Sequence, residues 1–412
     1  MIKYVIYIKM ETSDKIMDHI VSLNKKHNSV KRDNKHAHFD SILPIVKDYI
    51  KKKKIILYGG LAINMYLPKK DQFYDSQEIP DFDGFCTNPE GLSKQLIKKL
   101  KNHNFNYLMI RYAIHEGTFK LSWEFNDVLD LTKISNAFYS KLLKKAEIKD
   151  NIYLCPIHVL KGMSYFEMCI PMSSLFRWEK IYPRISLLEK HYPLHTKITK
   201  YCQLVEDRRL PDHIHGIIKT VYNYILQLDI PFCDNVALNN MLDMHQKDFE
   251  TFDENIAYIS CLASVDNKIL GYILDLCNEA NISKKSTKVK TIKSNGFVPD
   301  ETFVEIKYGK HRYKIFSYYS VDKHCYSTIS VNNIKCCTSF FLIYNYYFRL
   351  FDCDNEIQSD KYRFVLKALL NNISERDFTN ECYGSEKTIT AVKMSRARRN
   401  APAIFYKASI TK

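Results

Sequence analysis

The chain has 412 residues, of which 46% are hydrophobic, and carries a formal net charge of +15 from 61 Lys and Arg against 46 Asp and Glu. This length and apolar content predict a globular protein of two or three domains and exclude a largely disordered chain. The basic excess favours a polyanionic partner such as nucleic acid or an anionic membrane, although an AT-rich genome would also enrich Lys.

The amino-terminal segment and the cysteines indicate the expected compartment. Residues Met1–Met10 contain Lys3 and Lys9 within a short apolar run, which is too brief and too charged for a signal peptide. No apolar run reaches the length of a membrane span. The 12 cysteines include no C-x-x-C pair, so we expect reduced, mostly buried thiols. These patterns predict a soluble, cytosolic protein without a membrane partner.

The first predicted elements lead into a glycine pair. Residues 1–38 are predicted to form a peripheral extension, and from Phe39 to Lys54 apolar side chains recur at helical spacing. An apolar run, Ile55–Tyr58, then predicts a buried strand. Gly59-Gly60 follows it and opens a short helical segment, where a backbone without side chains allows close approach of an anion to free N–H groups. Such a pair alone is often only a turn.

Two acids follow the glycine pair. Asp81 and Asp83 flank Phe82, and on a strand residues i and i+2 point to the same face. Paired carboxylates repel each other unless a cation holds them, and Mg²⁺ takes carboxylate and phosphate oxygens together. The pattern therefore predicts a metal site that faces a phosphate site at Gly59 and Gly60.

Three further strands are predicted after a helix at Gly91–Lys101. Their ranges are Phe105–Ile114, Phe119–Phe125 and Val128–Ile134. Asp130 lies between two leucines of the last strand, where an isolated carboxylate is costly without a partner. We predict that it is the third acid of the site. Asp127 is the alternative, but it follows Asn in a predicted turn, which favours a turn role.

Basic residues on the next two predicted segments are candidates for contacts with phosphates. Lys161 lies on a predicted helix, Ile157–Pro171, and could reach a triphosphate, although most helical lysines face water. Arg177, Lys180 and Arg184 alternate with aromatic residues, a composition suited to stacking on bases and contacting phosphates. The alternative interpretation of this segment is an amphipathic helix that covers the domain.

An internal repeat predicts that the second half of the chain has a fold like that of the first half. Residues 46–67 align without gaps on residues 221–242, and the identical pairs include an Ala-x-Asn sequence after the turn. In the second copy Asp234-Asn235 replaces the glycine pair, and the predicted strand Ile256–Ser260 has no carboxylate. We therefore predict a second, degenerate copy of the first domain, with domain ranges 39–200 and 201–412.

The second copy has its own predicted elements and a basic loop. Its further strands and helices are predicted at Thr302–Tyr308, His311–Tyr318, Cys325–Val331, Phe340–Leu350 and Lys361–Leu370. Lys284, Lys285 and Lys288 lie in a loop whose charge suits a phosphate backbone, although solvated faces look alike in sequence.

These residues give the first half a resemblance to a known family. Tyr58-Gly59-Gly60-Leu61-Ala62-Ile63-Asn64, Asp81-Phe82-Asp83 and Asp130 resemble the motifs of viral poly(A) polymerase catalytic subunits of the poxvirus and giant-virus type, within the DNA polymerase β-like nucleotidyltransferases. The resemblance covers residues 40–190. It departs from the superfamily in carrying Gly59-Gly60 where Gly-Ser is frequent, and in a longer interval around Pro68–Pro80.

The resemblance implies a fold and an activity. The fold is α+β, a mixed sheet with flanking helices followed by a degenerate nucleotidyltransferase-like domain. The activity is template-independent addition of adenylate from ATP to mRNA 3′ ends. Two Mg²⁺ or Mn²⁺ ions would be held by Asp81, Asp83 and Asp130. ATP would be contacted by Gly59, Gly60, Asn64 and Lys161.

Partners and location follow from the same resemblance. The RNA 3′ end and ATP are expected partners, with a homodimer or a processivity subunit as a further partner, in the host cytoplasm, a viral factory or the virion. Two alternatives remain open: a nucleotidyltransferase that acts on a tRNA, a small molecule or a protein, and a non-catalytic RNA-binding scaffold.

Overall fold

The structure is a computed structural model that describes residues 41–74, 81–113, 117–124, 126–198, 211–242, 258–264, 268–293, 297–384 and 404–406. Contacts between Cα atoms divide the chain into two compact units. Unit 1 comprises Met1–Lys133, Ile148–Leu154 and Pro402–Lys412, and unit 2 comprises Ile134–Glu147 and Cys155–Ala401. These limits differ from the predicted domain ranges 39–200 and 201–412. The predicted ranges follow the internal repeat in the sequence and stay a prediction. The predicted extension 1–38 lies outside the described residues.

The strands of the first sheet are short and mixed in direction. In the order β15-β3-β4-β5-β2-β1-β7-β6 they form an eight-stranded sheet. Their bounds are β1 Ile56–Tyr58, β2 Phe82–Cys86, β3 Leu108–Tyr112, β4 Thr118–Trp123, β5 Asn126–Lys133, β6 Glu147–Lys149, β7 Ile152–Leu154 and β15 Ile404–Tyr406. β2 runs antiparallel to β1 and parallel to β5, so two central strands point the same way.

Three helices flank this sheet in unit 1. They are α1 (41–52), α2 (Gly59–Tyr66) and α3 (Pro89–Lys101), with a 3₁₀ turn at Lys69–Asp71. The predicted helical spacing of α1 is confirmed, because Ile42, Val46 and Ile50 are fully buried. Each such side chain stabilises the fold by about 1.5–3 kcal/mol. Tyr49 on α1 donates a hydrogen bond to the Leu92 carbonyl oxygen at 2.8 Å, which ties α1 to α3.

Unit 2 combines helices with two smaller sheets. The helices are α4 Asn136–Lys145, α5 Ile157–Met168, α6 Pro171–Ser174, α7 Trp178–His191, α8 Asp212–Gln227, α9 Asp234–Met241, α10 Ile269–Glu279, α11 Ser339–Asp352 and α12 Glu356–Asn371, with 3₁₀ turns at Leu175–Arg177 and Glu375–Asp377. The strands are β8 Ile259–Ala263, β9 Thr287–Ile292, β10 Glu301–Tyr308, β11 His311–Ser320, β12 Cys325–Val331, β13 Ile334–Cys337 and β14 Cys382–Gly384. They pair in the orders β8-β11-β10-β9 and β13-β12-β14.

The two aligned segments adopt the same local fold. Phe232 pairs antiparallel with Cys261 on β8 and parallel with Cys336 on β13, just as β1 pairs antiparallel with β2 and parallel with β7. The strand series β8-β11-β10-β9 then repeats the directions of β2-β5-β4-β3. The residue before each following helix has nearly the same backbone, with φ −133° and ψ −168° at Tyr58 and φ −126° and ψ −175° at Cys233.

Two expectations about unit 2 require correction. Lys288 does not lie in a loop, because it belongs to the edge strand β9, whereas Lys284 and Lys285 lie in the turn before it. The expectation of reduced thiols fails at Cys325 and Cys382, which form a disulfide between β12 and β14. Of the nine free cysteines in the described part of the chain, eight are buried. None of the helices described here is both long and apolar enough to cross a membrane.

Candidate active site

One face of the first sheet carries a continuous row of polar side chains. Tyr58 on β1 pairs with Asp83 on β2, Asp83 pairs in parallel register with Asp130 on β5, and Asp130 pairs with Lys120 on β4. Because register partners share a face of a sheet, all four side chains point the same way. The predicted placement of Asp130 beside the acid pair agrees with this register.

The glycine at the end of β1 closes one side of this row. Gly59 has a φ of +70°, in the left-handed region that favours glycine. A Cβ added there would collide with Asp83 Oδ2 and lie 3.1 Å from Asp83 Cγ. Gly59 therefore allows the Asp83 carboxylate to lie against the first turn of α2. Gly60 is the second residue of that helix.

Asp130 is the most buried acid of the row. Its side chain is 12% exposed, and Oδ2 accepts a bond from Lys120 Nζ at 2.5 Å. Oδ1 is buried and has no hydrogen-bond partner among the described residues. Burial raises the pKa of Asp130, against the lowering by Lys120 and with further raising by Asp127 and Asp81. A buried carboxylate oxygen without a partner is costly, which fits a cation-binding role.

Asp81 completes the predicted set at the entrance of β2. It directly precedes that strand, and its side chain is exposed. Its charge is close enough to raise the pKa of Asp130, so the structure brings Asp81, Asp83 and Asp130 to one region. Within the described ranges, no three His, Cys, Asp or Glu side chains already stand at metal-binding distances. The donor set and the partnerless Oδ1 fit a hard divalent cation.

The alternative third acid, Asp127, is engaged elsewhere. A β-bulge between Leu121 and Ser122 brings it to the same face as Asp130. Arg111 binds both of its oxygens at 2.7 and 2.9 Å, and Ser122 Oγ donates to it at 2.7 Å. Burial would raise the pKa of Asp127, but Ser122 and Arg111 hold it below its usual value. This network satisfies Asp127 without a metal.

The side chain of Asn64 binds backbone groups of the protein itself. Asn64, which is predicted to contact the nucleotide, is 7% exposed. Its Oδ1 accepts hydrogen bonds from the backbone N–H groups of Phe73 at 2.8 Å and Tyr74 at 3.2 Å. It therefore holds the segment that follows α2. A nucleotide contact by Asn64 stays a prediction.

Lys161 is not a solvent-facing cation. Its side chain is fully buried, and Nζ bonds Glu189 Oε2 and the Tyr192 carbonyl oxygen, both at 2.6 Å. Burial lowers the pKa of Lys161, and Glu189 opposes that shift. The ammonium thus already has two acceptors, which favours a structural role over a contact with triphosphate.

The basic residues proposed for RNA differ in their exposure. Arg177 binds Glu167 at 2.6 Å, and Lys180 and Arg184 lie on α7. Burial raises the pKa of Glu167, and Arg177 opposes it most strongly. Lys284, Lys285 and Lys288 are exposed in unit 2. The segment around Arg177 therefore combines an internal ion pair with exposed charge.

Sequence reasoning missed Lys120, Arg111 and the hydroxyl contacts near the row. Tyr58 and Thr118 each place a hydroxyl within hydrogen-bond distance of Thr132, at 2.7 and 2.8 Å. The alternation of Lys120 with apolar neighbours on a predicted strand was the available signal. It indicated which face Lys120 occupies but not which carboxylate it meets.

The second copy has hydroxyl groups where the first has carboxylates. The Cys233 N–H donates to the Ser260 carbonyl oxygen at 2.7 Å, and Ser260 pairs in parallel register with Ser317. Ser260 and Ser317 therefore occupy the positions of Asp83 and Asp130, and Tyr258 that of Asp81. Ser317 Oγ donates to Ser260 Oγ at 3.1 Å.

A buried ion pair occupies the turn of the second copy. Asp234, with a φ of +44°, stands where Gly59 stands in the first copy. Its carboxylate accepts bonds from Arg349 at 3.0 Å and from Tyr319 and Tyr258 at 3.1 Å. Burial would raise the pKa of Asp234, but Arg349 and Lys314 hold it below its usual value. The predicted loss of the phosphate site agrees with an internal anion at this position.

A strand, a left-handed glycine, a helix and two acids on adjacent strands, with Asp81 directly before one of these strands, form the candidate site. The family model described as poly(A) polymerase catalytic subunit matches residues 44–174. That match includes the glycine pair and all three acids, and it confirms the resemblance over this region.

Individual proteins agree with the family match. The chain is 29% identical over 171 residues to a putative poly(A) polymerase catalytic subunit of African swine fever virus (isolate Pig/Kenya/KEN-50/1950), covering 40% of this chain and 36% of that protein. It is 28% identical over 160 residues to that of Acanthamoeba polyphaga mimivirus, covering 37% and 27%. The alignments thus span about a third of these relatives' length.

A solved structure shares the fold along nearly the whole chain. The crystal structure of the Megavirus polyadenylate synthase has a TM-score of 0.79 and 16% sequence identity, covering 99% of this chain and 88% of that one. At this identity the likeness shows the fold. The predicted α+β class, a mixed sheet with flanking helices, is confirmed.

Proposed function

We propose that the protein is a template-independent poly(A) polymerase that adds adenylate from ATP to RNA 3′ ends. One observation carries the proposal: Asp83 and Asp130 are partners on adjacent parallel strands, beside a glycine whose missing side chain leaves room for Asp83. The family match over the same residues supports the choice of reaction.

The residues of this chain have separate tasks in the proposed reaction. Asp81, Asp83 and Asp130 would hold two Mg²⁺ or Mn²⁺ ions, which when bound neutralise charge on the triphosphate and activate the primer hydroxyl. Gly59 and the first N–H groups of α2 approach the triphosphate. The 3′ hydroxyl gives up its proton to solvent as its oxygen bonds to the α-phosphorus, the bond from that phosphorus to the oxygen bridging to the β-phosphorus breaks, and pyrophosphate leaves. Positioning and electrostatics supply most of the acceleration.

The proposal is tested by primer extension with each of the four nucleoside triphosphates, with and without a chelator. We expect long homopolymer with ATP, and loss of extension by at least 100-fold in Asp81→Ala, Asp83→Ala and Asp130→Asn. Asp229→Asn is the matched control, because that side chain is 79% exposed in unit 2. Extension by the Asp83→Ala protein at the wild-type rate would refute the site.

The two alternatives give different results in the same assay. A nucleotidyltransferase for another acceptor would add one or a few nucleotides, or would ignore the RNA primer. A scaffold would show no metal-dependent turnover. Asp127→Asn separates the two candidate third acids, because we expect it to retain metal-dependent extension while Asp130→Asn does not.

Partners and RNA contacts belong to this proposal. The exposed charge of Lys180, Lys284, Lys285 and Lys288 supports contacts with the phosphate backbone, together with Arg177 and Arg184. A homodimer or a processivity subunit would keep the RNA bound between additions. The proposed place of action is the host cytoplasm, in a viral factory or the virion.

A further inference from the structure

The hairpin formed by β10 and β11 in unit 2 is longer than its counterpart in the first copy, the hairpin of β4 and β5. Both carry a β-bulge at the same register, between Leu121 and Ser122 in β4 and between Val304 and Glu305 in β10. Beyond the bulge, β4 and β5 have two more register pairs, whereas β10 and β11 have four. The additional pairs and the turn that joins them are Lys307 with Arg312, Tyr308 with His311, and Gly309-Lys310.

This extension carries most of a cluster of cations that we call the basic tip: Lys288, Lys307, Lys310 and Arg312. All four residues are exposed. Lys307 and Arg312 are register partners, and Lys288 on β9 is the partner of Glu305, which lies two residues before Lys307. Residues two apart on a strand share a face, and so do register partners. Lys288, Lys307 and Arg312 therefore point from one face of the sheet, next to the turn that contains Lys310.

The two acids of β10 already have other partners. Glu305 Oε2 binds Lys290 Nζ at 2.7 Å, and Glu301 Oε1 binds Lys314 Nζ at 2.5 Å. Within the part of the chain that the structure describes, none of the four cations of the basic tip forms an ion pair or a side-chain hydrogen bond. The described residues therefore leave the charge of the basic tip uncompensated.

The first copy contains a similar pair of cations but supplies an acid for it. Arg111 on β3 and Lys120 on β4 are register partners, and Asp127 binds both of them, at 2.7 and 3.3 Å. Like charges on directly opposed residues of neighbouring strands repel each other. Lys307 and Arg312 are opposed in the same way, without such an acid among the described residues. An anion from outside the chain would relieve this repulsion.

The arrangement of the basic tip suits a chain of phosphates better than a single small anion. Its cations extend over three strands and two register rows, which lie about 7 Å apart along a strand. An arginine binds two phosphate oxygens through its planar fork, and lysines add point charges. A polyanion gains from each such contact, because counterions are released as each phosphate is neutralised. In the proposed function, RNA supplies such a chain.

We propose that the basic tip binds the phosphate backbone of the RNA substrate, with Lys307 and Arg312 at the centre of the contact. The inference rests on the proposed function, because that function brings RNA to the protein. Phosphate contacts hold and orient a nucleic acid without reading its bases. The basic tip therefore binds RNA of different sequences equally.

Equilibrium binding of RNA to the full chain, without ATP or metal, tests the proposal. Labelled oligo(A) and oligo(U) are titrated at several salt concentrations with the wild type and with Lys307→Gln/Arg312→Gln, and circular dichroism checks each fold. Lys288→Gln/Lys310→Gln removes the other two charges of the basic tip and covers failure of the first variant to fold.

A matched control separates the position of the charges from the net charge. Lys268→Gln/Lys367→Gln also removes two exposed cations of unit 2, one directly before α10 and one on α12. Neither belongs to the basic tip, so we expect this variant to bind RNA like the wild type.

We expect Lys307→Gln/Arg312→Gln to weaken binding of both RNAs at least fivefold. The loss of two phosphate contacts should also make the slope of log affinity against log salt concentration shallower by about 1.4. Wild-type affinity in folded variants of the basic tip overturns the proposal. A loss no larger than that of the control variant also overturns it, because net charge would then explain the effect.

An anionic membrane is the other partner that exposed cations could bind. Vesicles of phosphatidylserine and phosphatidylcholine are therefore titrated with the same proteins. Vesicle binding that falls in the variants of the basic tip, while their RNA binding stays at the wild-type level, overturns the assignment to RNA.

Primer extension separates this inference from the proposed function. Weaker RNA binding by the variants of the basic tip, in a wild type that makes no homopolymer, supports the basic tip and contradicts the polymerase. Homopolymer synthesis by the wild type, with unaltered RNA binding by both variants, contradicts the basic tip alone.

Discussion

Lys120 Nζ lies 2.5 Å from Asp130 Oδ2, so the acid that we propose as the third of the site already binds a cation of the protein itself. A divalent ion at Asp130 must share this carboxylate with the ammonium. Replacing Lys120 by Met removes the competing charge, and we expect Mn²⁺ affinity without nucleotide to rise at least threefold. The concentration of free Mn²⁺, followed by electron paramagnetic resonance, measures it.

Arg111→Met is the control for this comparison. It removes a positive charge from the same sheet face but leaves the bond between Lys120 and Asp130, because Arg111 binds Asp127. Equal or weaker Mn²⁺ binding by the Lys120 variant than by the wild type would contradict competition at Asp130.

Gly59→Ala should damage the site more than the fold. The added methyl group meets the Asp83 carboxylate, and the φ of +70° is unfavourable for alanine, which costs about 1 kcal/mol of stability. We expect extension to fall at least tenfold while urea unfolding shifts little. Gly216→Ala, with open space around the added carbon, should keep activity and gain up to about 1 kcal/mol. Full activity of the Gly59 variant would argue against close packing of Asp83.

Removing either partner of the ion pair between Asp234 and Arg349 should destabilise the fold. Asp234→Asn or Arg349→Met leaves one buried charge unpaired, and we expect each to lower the free energy of unfolding by about 3–5 kcal/mol. The double variant should lose less than the sum of the two single losses. Urea denaturation of all four proteins measures the coupling, and simple additivity would show that the two side chains act independently.

The pH dependence of that pair has a defined sign. The folded-state pKa of Asp234 lies below the ordinary value of 3.8. Its stabilising effect is therefore present above that value and is lost as the pH falls through the folded pKa. The stability difference between the wild type and Asp234→Asn should be constant from about pH 5 upward. A difference that vanishes near neutrality would contradict the pairing.

His158 should weaken the fold in mild acid. Burial, helped by the nearby Lys161 ammonium, lowers the pKa of His158 from 6.5 to about 4. The unfolded chain takes up this proton below pH 6.5 and the folded chain does not, so stability falls as the pH drops from 6.5 to about 4. The loss is on the order of 3 kcal/mol, and His158→Gln should remove it from a series of denaturation curves. An unchanged slope in that variant would assign the acid sensitivity to other groups.

Local patterns predicted the elements that carry the site. The apolar run before Gly59 is β1, and the alternation around Asp130 gives β5. Both patterns are local. Alternation with a period of two predicts which residues of a strand share a face, but it does not predict which strand lies beside it. Motif resemblance then supplied the pairing of Asp83 with Asp130, which no local pattern contains.

Contacts between distant segments were beyond such patterns. Lys161 looks like any helical lysine, and only the fold brings Glu189 to its ammonium. The charged neighbours of Lys288 predict a loop, but β9 is an edge strand whose two faces are largely exposed, so its sequence has no apolar alternation that would predict a strand. The disulfide between Cys325 and Cys382 joins residues 57 positions apart.

The serine pair at the register positions of the acids has a consequence for the stability of unit 2. A row of acids like that of the first copy would require carboxylates at Tyr258, Ser260 and Ser317 and, at the same time, the loss of Asp234. Each of these changes alone would bury an unpaired charge or leave Arg349 without its partner, and would lower stability. A cation site in the second copy would therefore form only at the expense of the packing that now holds this half together.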